Sequence, residues 1–569
     1  MGWTYTLLGQ VKGINTPTLS AADDPGKDGY TANSTRDVRD VFGMGFSYHT
    51  DDFSRSYNSV NSPFNSGSLG MLTSSLVTTT STPEDELYSG LLGAATWRTQ
   101  TLLDDNVDIV REDEVTGETY RYDVLGRLRS LTTHKDNAGT FEAEATGGWS
   151  SNYKYDPHGN FLKVFRRGLE SGASSIPIDD ATFSHVGVTS DLTESIADSY
   201  SNQGEHQDVE IVTGNESEYD ANGQVLEFSG GANSDVINTF TADGLAATVK
   251  RDAITTHILR DAFDQVVRQD VTEGESTGSY FTIPSNSGGD RAVYYRGTSG
   301  SPSIKEWTIE GGGRLGVDRT VNSTQDGDVY HRPLNSTLYE MTDQVGSVRA
   351  IVSDVVEADA NNAGLFLAQV LSASDYEPFG SRRMMRHSDV TDGSYRYGWQ
   401  GMRLFDGHEK RFDYITQFRL FDTRMGRWQS SDPVFNPGVS PYEGMGSNPL
   451  GLTDPLGLWV RAIGGDAEAA IKSSVGDFSA FVQFEGGILQ IAPLREGVAK
   501  AMARPGQKHE RRVEFLQRQT GIKSWTRISR SWHDWPKILI ALRSKSRLCL
   551  VLGKRVSCNL GNLIMVVMP

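Results

Sequence analysis

Cysteine is almost missing from this chain: two in 569 residues, Cys549 and Cys558. No disulfide framework can hold the first 458 residues, so burial and strand pairing must do it. With no second pair beside them, the two cysteines do not make a zinc site. No stretch reaches the ~20 apolar residues that a membrane-spanning helix needs. The opening MGWTYTLLGQVKG lacks the basic segment and apolar run of a secretory signal. If the protein is secreted or reaches the cell surface, it is cytoplasmic first and leaves by dedicated machinery, or an upstream part is missing. Hydrophobic residues make up only 37%, low for compact helical domains. No cofactor motif is legible, and none is expected.

Charge is unevenly spread. The net charge is −19, yet residues 459–569 hold 18 Lys/Arg against 8 Asp/Glu. The first 458 residues therefore carry 36 basic and 65 acidic residues. Opposite signs attract, and a basic module suits an anionic target such as nucleic acid, although solvated faces explain the same counts.

Glycine is abundant, at 60 residues, and marks a repeat. Tyr122-Asp123-Val-Leu-Gly126-Arg-Leu128 recurs as Tyr155-Asp156-Pro-His-Gly159-Asn-Phe161 and Tyr219-Asp220-Ala-Asn-Gly223-Gln-Val225. Weaker copies begin at Phe240, Arg260 and Asp343; the Arg260 copy has Asp264 in place of glycine. Such recurrence signals an array of one supersecondary unit. The segment before each Asp alternates, as in Thr-Tyr-Arg-Tyr, and predicts a half-buried strand. Asp accepts backbone hydrogen bonds, Gly supplies a positive φ, and the chain returns as a second strand. Each unit is thus a hairpin that must pair with its neighbours to bury its apolar face. Residues 170–215 are polar, show no repeat and read as an insertion or surface loop.

These segments resemble the Rhs, or YD-repeat, family. The resemblance extends to YEMTDQVGSVRAIVS (339–353), SYRYGWQ (394–400) and QFRLFDTRMGRWQSSDP (417–433), then to Asn448-Pro449 and Asp454-Pro-Leu-Gly457-Leu458. The last three segments resemble that family's repeat-associated core. Thr423 replaces the usual proline after Asp422, and Leu420-Phe421 replace two aromatics. The family implies a mainly β fold, in which hairpins coil into a large hollow β-sheet shell. Three regions follow: a YD-repeat region 1–338, which looks incomplete at its N-terminus, a core region 339–458, and a variable region 459–569. The last reads as a small α or α+β module, an effector or a degraded tail.

The segment TDPLGLW invites chemistry at its end. Two carboxylates can hydrolyse a peptide, one activating water and the other donating a proton. Held close, they repel and titrate apart. Asp432 and Asp454 are the candidates, and the intervening FNPGVSPYEGMGSNP, with three Pro and three Gly, suits a winding return. Arg419 lies where it could orient a carboxylate or bind an oxyanion. On spacing alone, Asp-Pro pairs are more commonly turn starters, and Asp422 reads as a turn cap. The family resemblance implies self-cleavage by an aspartic-protease-like site at the Leu458–Trp459 bond, with the freed C-terminal region held as enclosed cargo. It also implies antagonism between cells, an immunity protein and secretion machinery as partners.

In residues 459–569 no motif identifies an effector. DAEAAIKSSVGDFSAFVQF reads as one or two helices and KHERRVEFLQRQ as a basic helix. His509-Glu510 and His533-Asp534 are more commonly solvated positions than acid/base pairs. Basic residues interleaved with tryptophan (KSWTRISRSWHDWPK) fit nucleic-acid contact and a nuclease, and the text from about residue 520 equally fits a frameshifted tail. Two other readings stand: an adhesive, carbohydrate-binding surface protein, and a truncated, non-functional fragment.

Overall fold

The repeat turns whose residues are all described close antiparallel hairpins by the same few bonds. The Asp123 N–H donates to the Arg127 carbonyl and the Gly126 N–H to the Asp123 carbonyl, both at 2.9 Å. The Asp123 carboxylate then accepts the N–H groups of Leu125 and Arg127 at 2.9 and 3.0 Å. Asp156, Asp261 and Asp343 accept the corresponding pairs of N–H groups. In the Phe240 copy the Thr241 hydroxyl stands in, accepting the Leu245 N–H at 3.1 Å. The fourth turn position needs a left-handed backbone, with φ of 78° at Gly126 and 90° at Gly159. Asp264 takes that conformation without being glycine, at φ 62°, which costs an L-residue about 1–2 kcal/mol.

A seventh turn, Tyr376-Glu377-Pro378-Phe379-Gly380, escaped the sequence pattern because its acid is glutamate. Its backbone bonds match the others, with Glu377 N–H to Ser381 O at 2.8 Å and Gly380 N–H to Glu377 O at 2.9 Å. The longer side chain reaches away, accepting from Arg383 Nε at 3.1 Å. The tyrosines link units: Tyr155 Oη donates to Leu128 O at 2.7 Å and Tyr376 Oη to Val348 O at 2.8 Å. Each acceptor is the residue just after an earlier turn.

The computed structural model describes residues 2–6, 10–19, 38–48, 91–100, 115–137, 140–143, 148–170, 174–186, 195–200, 215–220, 224–228, 236–251, 253–285, 290–311, 313–319, 324–326, 329–331, 336–358, 366–389, 395–405, 413–433, 440–458, 460–462, 482–485, 488–491, 538–540 and 550–552. Chain contacts divide the protein into two units, Met1–Ala470 and Ile471–Pro569. The first is mainly β: a 26-stranded sheet in which strands pair with their sequence neighbours, nearly all antiparallel. One parallel pairing joins Phe366–Tyr376 to Val38–Arg39.

Within residues 170–215, the described residues 174–186 and 195–200 correct the expectation of a loop. Ser174–Val186 pairs along Phe161–Glu170 and Ser195–Tyr200 follows it. Ile178 and Phe183 are buried, and Arg166 pairs with Asp179 at 3.3 Å. Polar composition hid a strand whose charges are neutralised by partners.

Because neighbouring strands alternate in direction, the six fully described turns open on one rim of the sheet. The described residues between 395 and 458 bond to the turns on that rim. Ser440 N–H donates to His158 O at 2.6 Å, Val225 N–H to Gln429 O at 3.0 Å, and Gln417 Nε2 to Phe263 O at 3.2 Å. Apolar packing follows: Phe405, Ile415 and Leu420 join Ala246, Val249 and Ile258, while Tyr395 and Tyr397 join Val317, Leu338, Val348 and Ile351. A small sheet of Arg403–Leu404, Tyr414–Ile415, Leu420–Asp422 and Arg427–Trp428 forms within this segment.

In the second unit the described residues form two hairpins, Val482–Glu485 with Ile488–Ile491 and Ile538–Ile540 with Leu550–Leu552. The end of the segment expected to be helical, Val482–Phe484, is therefore strand; it pairs with the apolar, β-branched Ile488–Ile491. The expected basic helix, His509-Glu510, His533-Asp534 and both cysteines lie outside the described residues. Among the described residues no helix is long and apolar enough to cross a membrane.

Candidate functional site

Arg419 stands beside strand Leu420–Asp422, with only 2% of its surface exposed. Its Nη2 meets Asp432 Oδ2 and Asp454 Oδ2, each at 2.9 Å. Two carboxylates 22 residues apart are thus brought to one nitrogen, so their oxygens lie no more than twice that distance apart. Burial pulls the Arg419 pKa down, and the charges of Asp432 and Asp454 oppose that pull. The sequence suggests two repelling acids, with Arg419 able to orient one of them or bind an oxyanion. The structure instead inserts a cation whose attraction to both offsets their repulsion.

The remaining donors of the guanidinium fix the chain around it. Nε donates to Gly457 O at 2.6 Å and Nη1 to Pro441 O at 3.4 Å. Gly457 O belongs to the residue before Leu458, so Arg419 grips the peptide one position upstream of the expected cleavage bond. Pro441 O also accepts the Asp432 N–H at 2.9 Å, which anchors that acid's backbone. The guanidinium carbon lies 4.4 Å from the Trp428 ring centroid.

Asp454 is 1% exposed and occupied on both oxygens: Oδ2 on Arg419 and Oδ1 accepting the Leu458 N–H at 2.9 Å. The side chain of Asp432 is 23% exposed, so water reaches this acid and not the other. Leu452–Thr453 pairs with Arg461–Ala462, making the intervening stretch a hairpin that holds Asp454 at one end and Leu458 near the other. Phe418 N–H donates to Leu456 O at 3.1 Å, pinning the bend to the Arg419 segment. Gly457 has φ of 71°, and a Cβ there would strike Thr416 Oγ1 and come within 3.1 Å of Arg419 Cβ. Trp459 lies outside the described residues.

The structure therefore brings together Asp432, Asp454, Arg419 and Leu458. Asp422 stands apart as a turn cap, accepting the Arg424 and Met425 N–H groups at 3.0 and 2.9 Å. Sequence reasoning did not find Thr416 or Trp428. The only trace of Trp428 is its place in the Gly426-Arg427-Trp428 run, and Thr416 leaves none.

No family model matches the sequence, and no curated protein matches it. Among solved structures, the crystal structure of TcdB2-TccC3-TEV is similar at 14% identity and a TM-score of 0.43, over 80% of this chain and 19% of that one. The crystal structure of TcdB2-TccC3-Cdc42 is similar at 14% identity and 0.43, over 83% and 19%. A Photorhabdus luminescens Tc holotoxin pore is similar at 14% identity and 0.43, over 80% and 19%. The chain spans about a fifth of the length of these structures' matched chains, at 19% each.

Proposed function

We propose that this chain cuts itself between Leu458 and Trp459, and that its repeat sheet is a shell holding the severed C-terminal region as effector cargo against other cells. The observation that carries the proposal is Arg419 Nη2 joining Asp432 to Asp454 while Asp454 holds the Leu458 N–H. Asp432, the accessible acid, takes a proton from water as the water oxygen adds to the Leu458 carbonyl carbon. The carbon–nitrogen bond breaks as Asp432 passes that proton to the Trp459 nitrogen, and the second water proton leaves the new Leu458 carboxyl group for the freed amine, so the products are a carboxylate and an ammonium group. Asp454 and Arg419 hold the segment rather than exchange protons, which gives an intramolecular substrate a high effective concentration.

The cargo reading rests on the basic balance of residues 459–569 and the family resemblance. It is tested by expressing those residues alone in cells. Growth arrest supports a toxic effector, and unimpaired growth contradicts it. The cleavage reading is tested by Asp432→Asn and Asp454→Asn, each of which leaves one uncut chain. Variants that cut like the unmodified protein contradict it.

A further inference from the structure

The in-plane contacts of Arg419 leave one direction unrestrained. Gly457 O, Pro441 O and the two carboxylates all meet the guanidinium at its edges. Edge contacts set where the fork points but resist movement perpendicular to its plane weakly. The ring that lies over the guanidinium is Trp428, 4.4 Å from centroid to carbon and itself 1% exposed. An aromatic face carries negative charge density, and a buried guanidinium is attracted to it.

Trp428 is in turn rigidly held. It faces Phe421 across the strand pair, and the rings meet edge-on at 5.0 Å. Phe421 stacks on Trp399 at 5.3 Å. Trp399 lies on Gly380, where a Cβ would come within 2.7 Å of its Cδ2. The Trp428 backbone N–H donates to Tyr442 O at 3.0 Å, next to the Pro441 carbonyl that Arg419 and Asp432 share. A column of rings thus runs from the seventh repeat turn to the guanidinium.

We propose that Trp428 is a positioning residue for the cleavage: its ring holds Arg419 at the depth where one nitrogen meets both acids. The proposal rests on the self-cleavage reading. It is tested by placing 5-fluoro-, 5,7-difluoro- and 5,6,7-trifluorotryptophan at position 428, in full-length chain made by cell-free synthesis. Fluorine drains charge from the ring face and barely changes its shape. The rate at which the C-terminal fragment appears is followed at a temperature where uncut chain accumulates, so that cutting is limiting. The rate is expected to fall stepwise with fluorine count, by about tenfold across the series, with Trp428→Phe partly active and Trp428→Leu inactive. A rate constant across the fluorinated series, with Asp432→Asn still blocking the cut, overturns the role of Trp428 alone. If Asp432→Asn and Asp454→Asn both cut normally, the cleavage reading fails, and the proposal fails with it.

Discussion

Gly457 is where a single methyl group decides most. Its φ of 71° and the closeness of Thr416 Oγ1 leave no place for a Cβ. Gly457→Ala is expected to displace the carbonyl that Arg419 Nε grips, and to slow cleavage at least ~10-fold, the equivalent of about 1.4 kcal/mol of misplacement. Pulse-labelled gels resolve that change, and an unaltered rate contradicts the geometry. Glu443 makes a different prediction. Burial against the Gly159 turn raises its pKa from 4.5 to about 7, although Ser447 Oγ donates to it at 2.7 Å. A raised carboxyl pKa means the folded state holds the proton more tightly. The fold therefore loses stability as pH climbs from about 4.5 to about 7 and gains it back on acidification. Glu443→Gln should leave stability unchanged below that window and raise it at pH 8, by up to about 3 kcal/mol. Urea midpoints at pH 4.5 and pH 8 check the sign.

At the scale of the element, the repeat turn is the unit of construction. Asp261→Ala removes the acceptor for two backbone N–H groups and is expected to cost about 1–2 kcal/mol. Asp264→Gly in the same turn relieves a strained backbone at φ 62° and should stabilise by roughly 0.5–1 kcal/mol. The two changes have opposite signs within four residues, which a nonspecific loop effect cannot produce. The turns were legible because Asp and Gly are tied to specific backbone needs. The turn at Glu377 was not, because its backbone makes the bonds without a carboxylate cap. The strand Ser174–Val186 was hidden by its polar residues, since a pattern of charge does not reveal a partner such as Arg166 for Asp179. At the site, Asp432, Asp454 and Arg419 were readable as residue types in family-like text, whereas the shared nitrogen and the Trp428 ring come from chain crossings that no local spacing encodes.

For the whole molecule, enclosure and simple charge attraction differ in their response to salt. After a cut, a piece with 36 basic and 65 acidic residues would face one with 18 and 8. At 1 M salt the screening length is about 3 Å, so attraction between exposed charges is lost. A shell predicts that the severed pieces still elute together at that salt and separate only on unfolding. Separation at high salt in native buffer contradicts enclosure.

Intact-mass spectrometry of the purified, unmodified chain bears most directly on the chemistry. Two species are expected, meeting between Leu458 and Trp459, where Asp432→Asn and Asp454→Asn each give a single full-length mass. One unbroken mass for the unmodified chain, or identical fragments from the asparagine variants, would contradict self-cleavage by these acids.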